Sequence, residues 1–99
     1  MGQIIVTSSQ LRAAADELRN LNNQFSTQVG KLEASENMLN SQWEGEANDA
    51  FHKAFASDKE QMNNFYTLIN QYCEMLENIA IKYDEAESRN VDTATTRVY

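Results

Sequence analysis

Apolar residues recur at alternating intervals of three and four along two stretches of this chain. Residues at that spacing lie on one side of an α-helix, and the spacing is the heptad pattern of helices that pack together. The first stretch begins at Leu11 and the second runs from Phe51 to Ala86. The seam expected at a core or a dimer interface consists of Leu18, Leu21, Phe25, Leu32, Phe65, Ile69, Tyr72, Leu76 and Ile79.

Short signals mark where the two predicted helices begin and end. Thr7 and Gln10 have the spacing of a capping box, so the first helix is expected over about residues 8–40. The heptad phase is lost between residues 41 and 46, which predicts a tight turn. The second helix is expected over about residues 47–87. Residues 88–99 are polar and Thr-rich, and we expect a flexible C-terminal tail there.

The composition supports an all-α fold in a single domain. The 99 residues include no proline and only three glycines, so the chain lacks the residues that loops and strand folds need. A tight turn between two long helices gives an antiparallel helix-turn-helix hairpin. The apolar stripe of the second helix is wider than one partner helix can cover. We therefore expect two hairpins to form a four-helix-bundle dimer.

The charge balance excludes two classes of partner. The formal net charge is −7, from fifteen acidic residues against eight Lys and Arg. Nucleic acid binding requires a basic surface, and so does docking on anionic lipid. The start of the chain lacks the basic region and long apolar run of a cleaved signal peptide, and no stretch has the length of a membrane span. We expect no nucleic acid partner and no stable membrane insertion.

Catalytic and metal-binding chemistry has little support in the sequence. The chain has one cysteine, Cys73, and one histidine, His52, which excludes a disulfide within the chain and leaves no cluster for a zinc site. These residues are 21 positions apart, about 30 Å along a straight helix, so they cannot form a nucleophile and base pair. We expect no enzyme activity and no cofactor. Cys73 is interpreted as a small buried residue and His52 as a solvated one.

Three sequence features remain as candidates for recognition. Trp43 lies in the polar turn two residues before Gly45, where its indole could cover the end of the bundle or serve a second role. Tyr83 and Glu87 lie one turn apart on the same face of the second helix. The tail is either a frayed terminus or a recognition segment whose apolar residues are Val91 and Val98.

Together these features resemble the WXG family of type VII secretion substrates. The resemblance rests on Trp43-Glu44-Gly45 in a central turn, on helical flanks, and on a length of about one hundred residues. Tyr83 and Glu87 match the second signature of that family, a Tyr followed four residues later by an acid. The likeness covers nearly the whole chain.

The resemblance implies a function that no composition or spacing reveals. It implies export without a cleaved signal peptide by a membrane-embedded secretion ATPase, and an antiparallel dimer. The export signal would be Tyr83 and Glu87 with the following tail, whose Val91 and Val98 would fill pockets on the ATPase. The exported protein would be a virulence effector or a component of the machine, and by analogy the source would be a Gram-positive bacterium.

Two alternatives stay open at the level of sequence. A cytosolic helical adaptor or chaperone that pairs with a larger exported toxin would share the fold. Relatives of the resembling family also form heterodimers, so pairing with a paralogous WXG chain is an alternative to the homodimer that we favour. In the antiparallel homodimer, Tyr83 of one chain would lie near Trp43 of the other, since 38 residues separate Tyr83 from its own Gly45.

Overall fold

The structure of the chain is a computed structural model that describes residues 6–96, with side chains as far as residue 89. It contains two α-helices, α1 (Ser8–Gln42) and α2 (Glu46–Thr96), joined by a three-residue turn. The two helices pack side by side in opposite directions and form a rod of 84 × 25 × 17 Å. The prediction of an all-α helical hairpin is confirmed.

The start of α1 is fixed by the capping box that the sequence predicts. The backbone N–H of Gln10 donates to the hydroxyl of Thr7 at 3.1 Å, and the N–H of Thr7 donates to the side-chain oxygen of Gln10 at 3.0 Å. The helix continues without a break through Gly30. It ends at Gln42, because Trp43 adopts an extended backbone conformation.

Helix α2 begins beside acidic residues and extends further than the sequence pattern indicates. Glu46 and Asp49 lie in its first turn, where they stabilise the positive end of the helix dipole. The predicted end at about residue 87 differs from the observed end at Thr96. The apolar repeat stops near residue 87, but no Pro or Gly follows to terminate the backbone. The side chain of Val91 is not described, and Val98 lies outside the described residues.

Small and polar residues, rather than the large apolar ones, form the line along which the two helices meet. On α1 the buried positions recur every seven residues, and on α2 two small residues are fully buried opposite them. The buried residues of this contact line are Ala15, Asn22, Val29 and Glu36 on α1, with Cys73 and Ala80 on α2. Small side chains allow two helices to approach closely, so larger ones must lie beside the line.

The seam predicted from the heptads lies to one side of this contact line and is half exposed. Its largest members have between two-fifths and just over half of their surface accessible to solvent. We call this surface the apolar face; its exposed members are Leu21, Leu32, Leu39, Phe51, Phe65 and Tyr72. Phe25 and Phe65 pair across the hairpin on this face, with ring centroids 5.4 Å apart. No helix among the described residues is both long enough and apolar enough to cross a bilayer.

Ion pairs connect the helices on the other side of the contact line. Arg19 binds Glu77 through both terminal nitrogens at 3.0 Å, and Arg12 binds Asp84 at 2.6 Å. Further along, Lys59 contacts Glu33. Arg12 and Arg19 are one residue further along α1 than the apolar Leu11 and Leu18, a rotation of about 100° about the helix axis. The pairs therefore join the two helices away from the apolar face, which they leave uncovered.

Candidate functional site

The turn is built around Trp43. The indole is half buried and packs against the ring of Phe51, with centroids 5.9 Å apart at an angle of 45°. Gly45 has φ +116°, a conformation that side-chain-bearing residues rarely adopt. Its carbonyl accepts the N–H of Asp49 at 3.1 Å, which begins α2. The glycine of the turn motif is thus required by the backbone geometry.

Asn48 is a turn residue that the sequence analysis did not identify. Its side chain is buried, and its amide nitrogen donates to the carbonyl of Trp43 and to Oδ1 of Asn40 at 2.8 Å. The amide therefore ties the first turn of α2 to the last turn of α1. No sequence signal identifies it, because an Asn near a helix start is common and its partners depend on the fold.

A second contact near the turn involves the single histidine. Nδ1 of His52 contacts the carboxylate of Glu36, whose side chain is only 4 % exposed. His52 itself is 47 % exposed, so the solvated position expected for it is correct, but its partner was not predicted. The contact provides a partner for a carboxylate that would otherwise be buried alone.

Tyr83 and Glu87 lie at the opposite end of the rod, beside the first turn of α1. They line a groove of about 430 Å³ that we call the Tyr83 groove. Its lining residues are Val6, Thr7, Ser8, Ser9, Tyr83, Ala86 and Glu87. Tyr83 is 46 % exposed, and Glu87 is exposed as well. In the single hairpin, Tyr83 and Glu87 are therefore accessible to a binding partner.

Asp84, between the two motif residues, fastens this part of α2 to α1. Its carboxylate binds Arg12, and hydrogen bonds from Ser8 and then from Arg12 hold the pKa of Asp84 below its usual range. The charge on Asp84 is thus satisfied within the hairpin. Glu87 forms no ion pair among the described residues, so its charge is available at the rim of the groove.

Three smaller grooves continue along the apolar face towards the turn. The nearest, of about 260 Å³, lies at Leu18 and Leu76, and the next, of about 160 Å³, lies at Phe25 and Phe65. The last is close to the turn, has about 180 Å³, and includes Phe51. The Tyr83 groove is therefore one end of a row that follows the predicted seam.

Cys73 is fully buried and carries a free thiol. Between residues 6 and 89, no three His, Cys, Asp or Glu side chains are grouped so as to hold a metal ion. The features that stand out are the turn at Trp43, the Tyr83 groove and the apolar face, all of which suit association with another protein.

Comparison with known proteins gives one family and a consistent set of structures. The family described as proteins of 100 residues with WXG matches residues 3–88. The secreted protein EsxB from Bacillus anthracis str. Sterne has a TM-score of 0.76 at 25 % identity, over 88 % of this chain and 99 % of that one. EsxA from Geobacillus thermodenitrificans has a TM-score of 0.76 at 20 % identity, over 90 % and 96 %, which supports the fold alone. No curated protein sequence matches the chain significantly.

Proposed function

This chain belongs to the WXG100 family, and we propose that it is a substrate of the type VII secretion system, exported as a folded dimer without a cleaved signal peptide. The first support is the family itself, together with the similarity of 88 % of the chain to a protein described as secreted. The second is the Tyr83 groove, whose motif residues Tyr83 and Glu87 are both exposed.

The observation that carries this proposal is the presentation of Tyr83 and Glu87. Both side chains are exposed, while Asp84 between them is bound by Arg12. A partner therefore meets a motif whose position is already fixed, which lowers the entropy cost of binding. We propose that a membrane-embedded secretion ATPase reads this motif, and that Val91, near the end of α2, and Val98 supply two apolar anchors for it.

The apolar face supports a dimer as the exported form. Rings and aliphatic chains of the size of Leu21, Phe65 and Tyr72 rarely stay half exposed in a continuous row on a monomer. A second hairpin laid on this face gives a four-helix bundle. The row lies on a single chain and covers both helices, which favours a homodimer over pairing with a different WXG chain.

The dimer also suggests that recognition is shared between the chains. Trp43 and Tyr83 are far apart in one hairpin, because Tyr83 lies about 55 Å along α2 from its start at Glu46, at ~1.5 Å per residue. In an antiparallel dimer, Trp43 of the second copy would adjoin the Tyr83 groove. The recognised surface would then combine Trp43 of one chain with Tyr83, Glu87 and the tail of the other.

A secretion assay in the source bacterium tests the export signal. Culture supernatant and cell pellet are blotted for the wild type and for Tyr83→Ala with Glu87→Ala, with a cytosolic protein as lysis control. The matched control is Ile81→Ala with Glu85→Ala, which has the same four-residue spacing on another face of α2. We expect the wild type and the control outside and the Tyr83 and Glu87 variant inside.

The same assay separates export from the alternative function. A wild-type chain that stays in the pellet with its fold intact would favour a cytosolic adaptor that pairs with a larger exported toxin. Light scattering on the purified chain should give about twice 11.3 kDa if the dimer is a homodimer. A Trp43→Ala chain that dimerises and is exported at the wild-type rate would exclude the shared recognition surface.

A further inference from the structure

We propose that the start of α1, residues 6–9, is part of the export signal. The Tyr83 groove takes an apolar side chain of the secretion ATPase, and a Lys or Arg beside that side chain pairs with Glu87. The inference rests on the proposed function, in which the ATPase reads Tyr83 and Glu87. It adds the part of α1 that the ATPase contacts and the chemistry of that contact.

The groove is built from both helices. Residues 6–9 form one part of its lining, and Tyr83, Ala86 and Glu87 of α2 form the rest. A partner that enters the groove therefore contacts both helices, although the sequence motif lies on α2 alone. The sequence does not reveal this role of α1, because 74 positions separate Ser9 from Tyr83.

Hydrogen bonds and an ion pair bring the start of α1 beside the motif. Thr7 exchanges two hydrogen bonds with Gln10, at 3.0 and 3.1 Å, and these cap the helix. One turn further along α1, Arg12 binds Asp84, the neighbour of Tyr83 in the sequence, at 2.6 Å. The folded hairpin thus assembles a groove that α2 alone could not provide.

The groove suits an apolar side chain. Its volume of about 430 Å³ lies within the range of ~300–1,000 Å³ that is typical of ligand pockets, so it has room for a side chain of a partner. Val6 is 38 % exposed and Tyr83 is 46 % exposed, so apolar surface is available to be removed from water. The N–H, carbonyl and hydroxyl of Thr7 already have partners within α1. An occupant without hydrogen-bonding groups therefore leaves none of them unpaired.

Glu87 gives the groove a negative rim. It is the one charged residue of the lining, and it forms no ion pair among the described residues. Asp84, by contrast, is already bound by Arg12. A Lys or Arg that enters beside the apolar side chain therefore meets a carboxylate that can pair with it. The net charge of −7 attracts a basic partner at longer range as well.

Binding to the ATPase tests the use of the groove. The full chain is titrated against the secretion ATPase of the same bacterium, purified in detergent. Ala86→Phe fills the groove from α2, and Ser9→Phe fills it from α1, while Tyr83 and Glu87 stay unchanged. Each variant should bind at least about tenfold more weakly, because an apolar side chain of the ATPase loses its place. Each should also remain in the pellet in the secretion assay.

The matched control is Ala56→Phe, which adds the same ring to an exposed position of α2 outside the groove. It should bind and be exported as the wild type is. If the groove variants also behave as the wild type does, the inference is wrong and the export function still stands. A wild type that neither binds the ATPase nor leaves the cell would instead refute the proposed function.

A neutral substitution tests the charge at the rim. Glu87→Gln keeps the shape of the side chain and should weaken binding about two- to fivefold at low salt, and less at high salt. Glu85→Gln, at an exposed position outside the groove, should bind as the wild type does. Equal weakening by both substitutions would mean that only the overall charge matters, and would overturn the pairing with Glu87.

Two other occupants of the groove would give different results. If a second copy of the chain filled it, Ala86→Phe and Ser9→Phe would lower the mass measured by light scattering, whereas we expect the mass of the wild type. If the first five residues filled it, Ile4→Ser with Ile5→Ser would free the groove and raise the affinity for the ATPase several-fold, whereas we expect no change. Either result would overturn the inference.

Discussion

The side-chain amide of Asn48 donates a hydrogen bond to the carbonyl oxygen of Trp43, from the first turn of α2 to the residue that follows α1. The same amide donates to Asn40, so one buried side chain links both sides of the turn. The backbone at Trp43 is thereby held in place. The indole rests on Phe51, so its position depends on two contacts from α2.

Replacement of Asn48 by alanine should therefore destabilise the turn. Asn48→Ala removes the donor and leaves the carbonyl of Trp43 without its partner, at a cost of about 1–3 kcal/mol in the free energy of unfolding. Chemical denaturation followed by circular dichroism measures this change, and the emission of the single tryptophan reports its surroundings. Asn64→Ala, at an exposed position of α2, is the control and should change stability little. Equal effects of the two variants would contradict this role of Asn48.

Two glycines should respond in opposite directions to the same substitution. Gly45→Ala forces a side chain into φ +116° and should destabilise the hairpin by about 1–2 kcal/mol. Gly30→Ala lies in mid-helix, where an added Cβ meets no atom within 4 Å, and should stabilise it by about 0.5–1 kcal/mol. Thermal unfolding of both variants beside the wild type measures the signs. A stabilising Gly45→Ala would show that the turn backbone can relax.

The ion pairs predict a loss of stability in acid. Hydrogen bonds from Arg19 hold the pKa of Glu77 below its ordinary 4.5. Hydrogen bonds from Ser8 and Arg12 likewise lower the pKa of Asp84. Because these pKa values are lower in the folded chain than in the unfolded chain, the ion pairs stabilise the fold at any pH above the ordinary pKa values. This contribution to stability is lost as the pH falls through the lowered pKa values of the folded chain. All four side chains are well exposed, so solvent and salt screen the effect.

A neutral substitution isolates this acid dependence. Melting temperatures of the wild type and of Arg12→Gln with Arg19→Gln are compared from neutral pH to below 4.5 at low salt. The variant should lose less stability on acidification, because the pairs that fail in acid are already missing. Lys31→Gln, an exposed cation that forms no ion pair among the described residues, should retain the wild-type profile. Parallel profiles for all three chains would refute the assignment.

The buried thiol predicts slow chemistry in the native state. Cys73 is fully enclosed between the helices, so a thiol reagent should reach it only when the hairpin opens. Titration with Ellman's reagent should find little reaction in buffer and one thiol per chain in denaturant. Rapid native reaction, or a disulfide-linked dimer in the absence of engineered cysteines, would contradict the burial of this residue.

The heptads of the sequence predict the two helices and the side of each that carries large apolar residues. They do not predict which residues meet inside the hairpin. Ala15 and Cys73 are fully buried, whereas Leu21 and Phe65 of the predicted seam are half exposed. A heptad pattern indicates which side of a helix is apolar. That side can face the neighbouring helix of the same hairpin or a second copy of the chain. Which of the two it faces depends on how each helix is rotated about its own axis. Small residues fix that rotation, because two helices approach most closely where their side chains are small.

Contacts between the two helices of the hairpin could not be predicted from the sequence, for a related reason. Glu36 and His52 are sixteen residues apart, and their meeting depends on the register of α1 against α2. Asn48 reaches Trp43 only because the turn is three residues long. By contrast, Thr7 and Gln10 are local, and their capping box was predictable. The end of α2 was predicted too early, because a fading apolar repeat differs from a signal that stops a helix.

The cross-section of the rod limits the width of any conduit that the folded hairpin could pass through. At 25 × 17 Å the hairpin is about as wide as two helices side by side, and it stays within that section along its 84 Å. A passage of that bore would admit the folded hairpin end-on without unwinding a single turn. Two hairpins stacked face to face would need a wider bore. In the proposed export of a dimer, the diameter of the conduit would therefore decide whether the two chains cross together or one at a time.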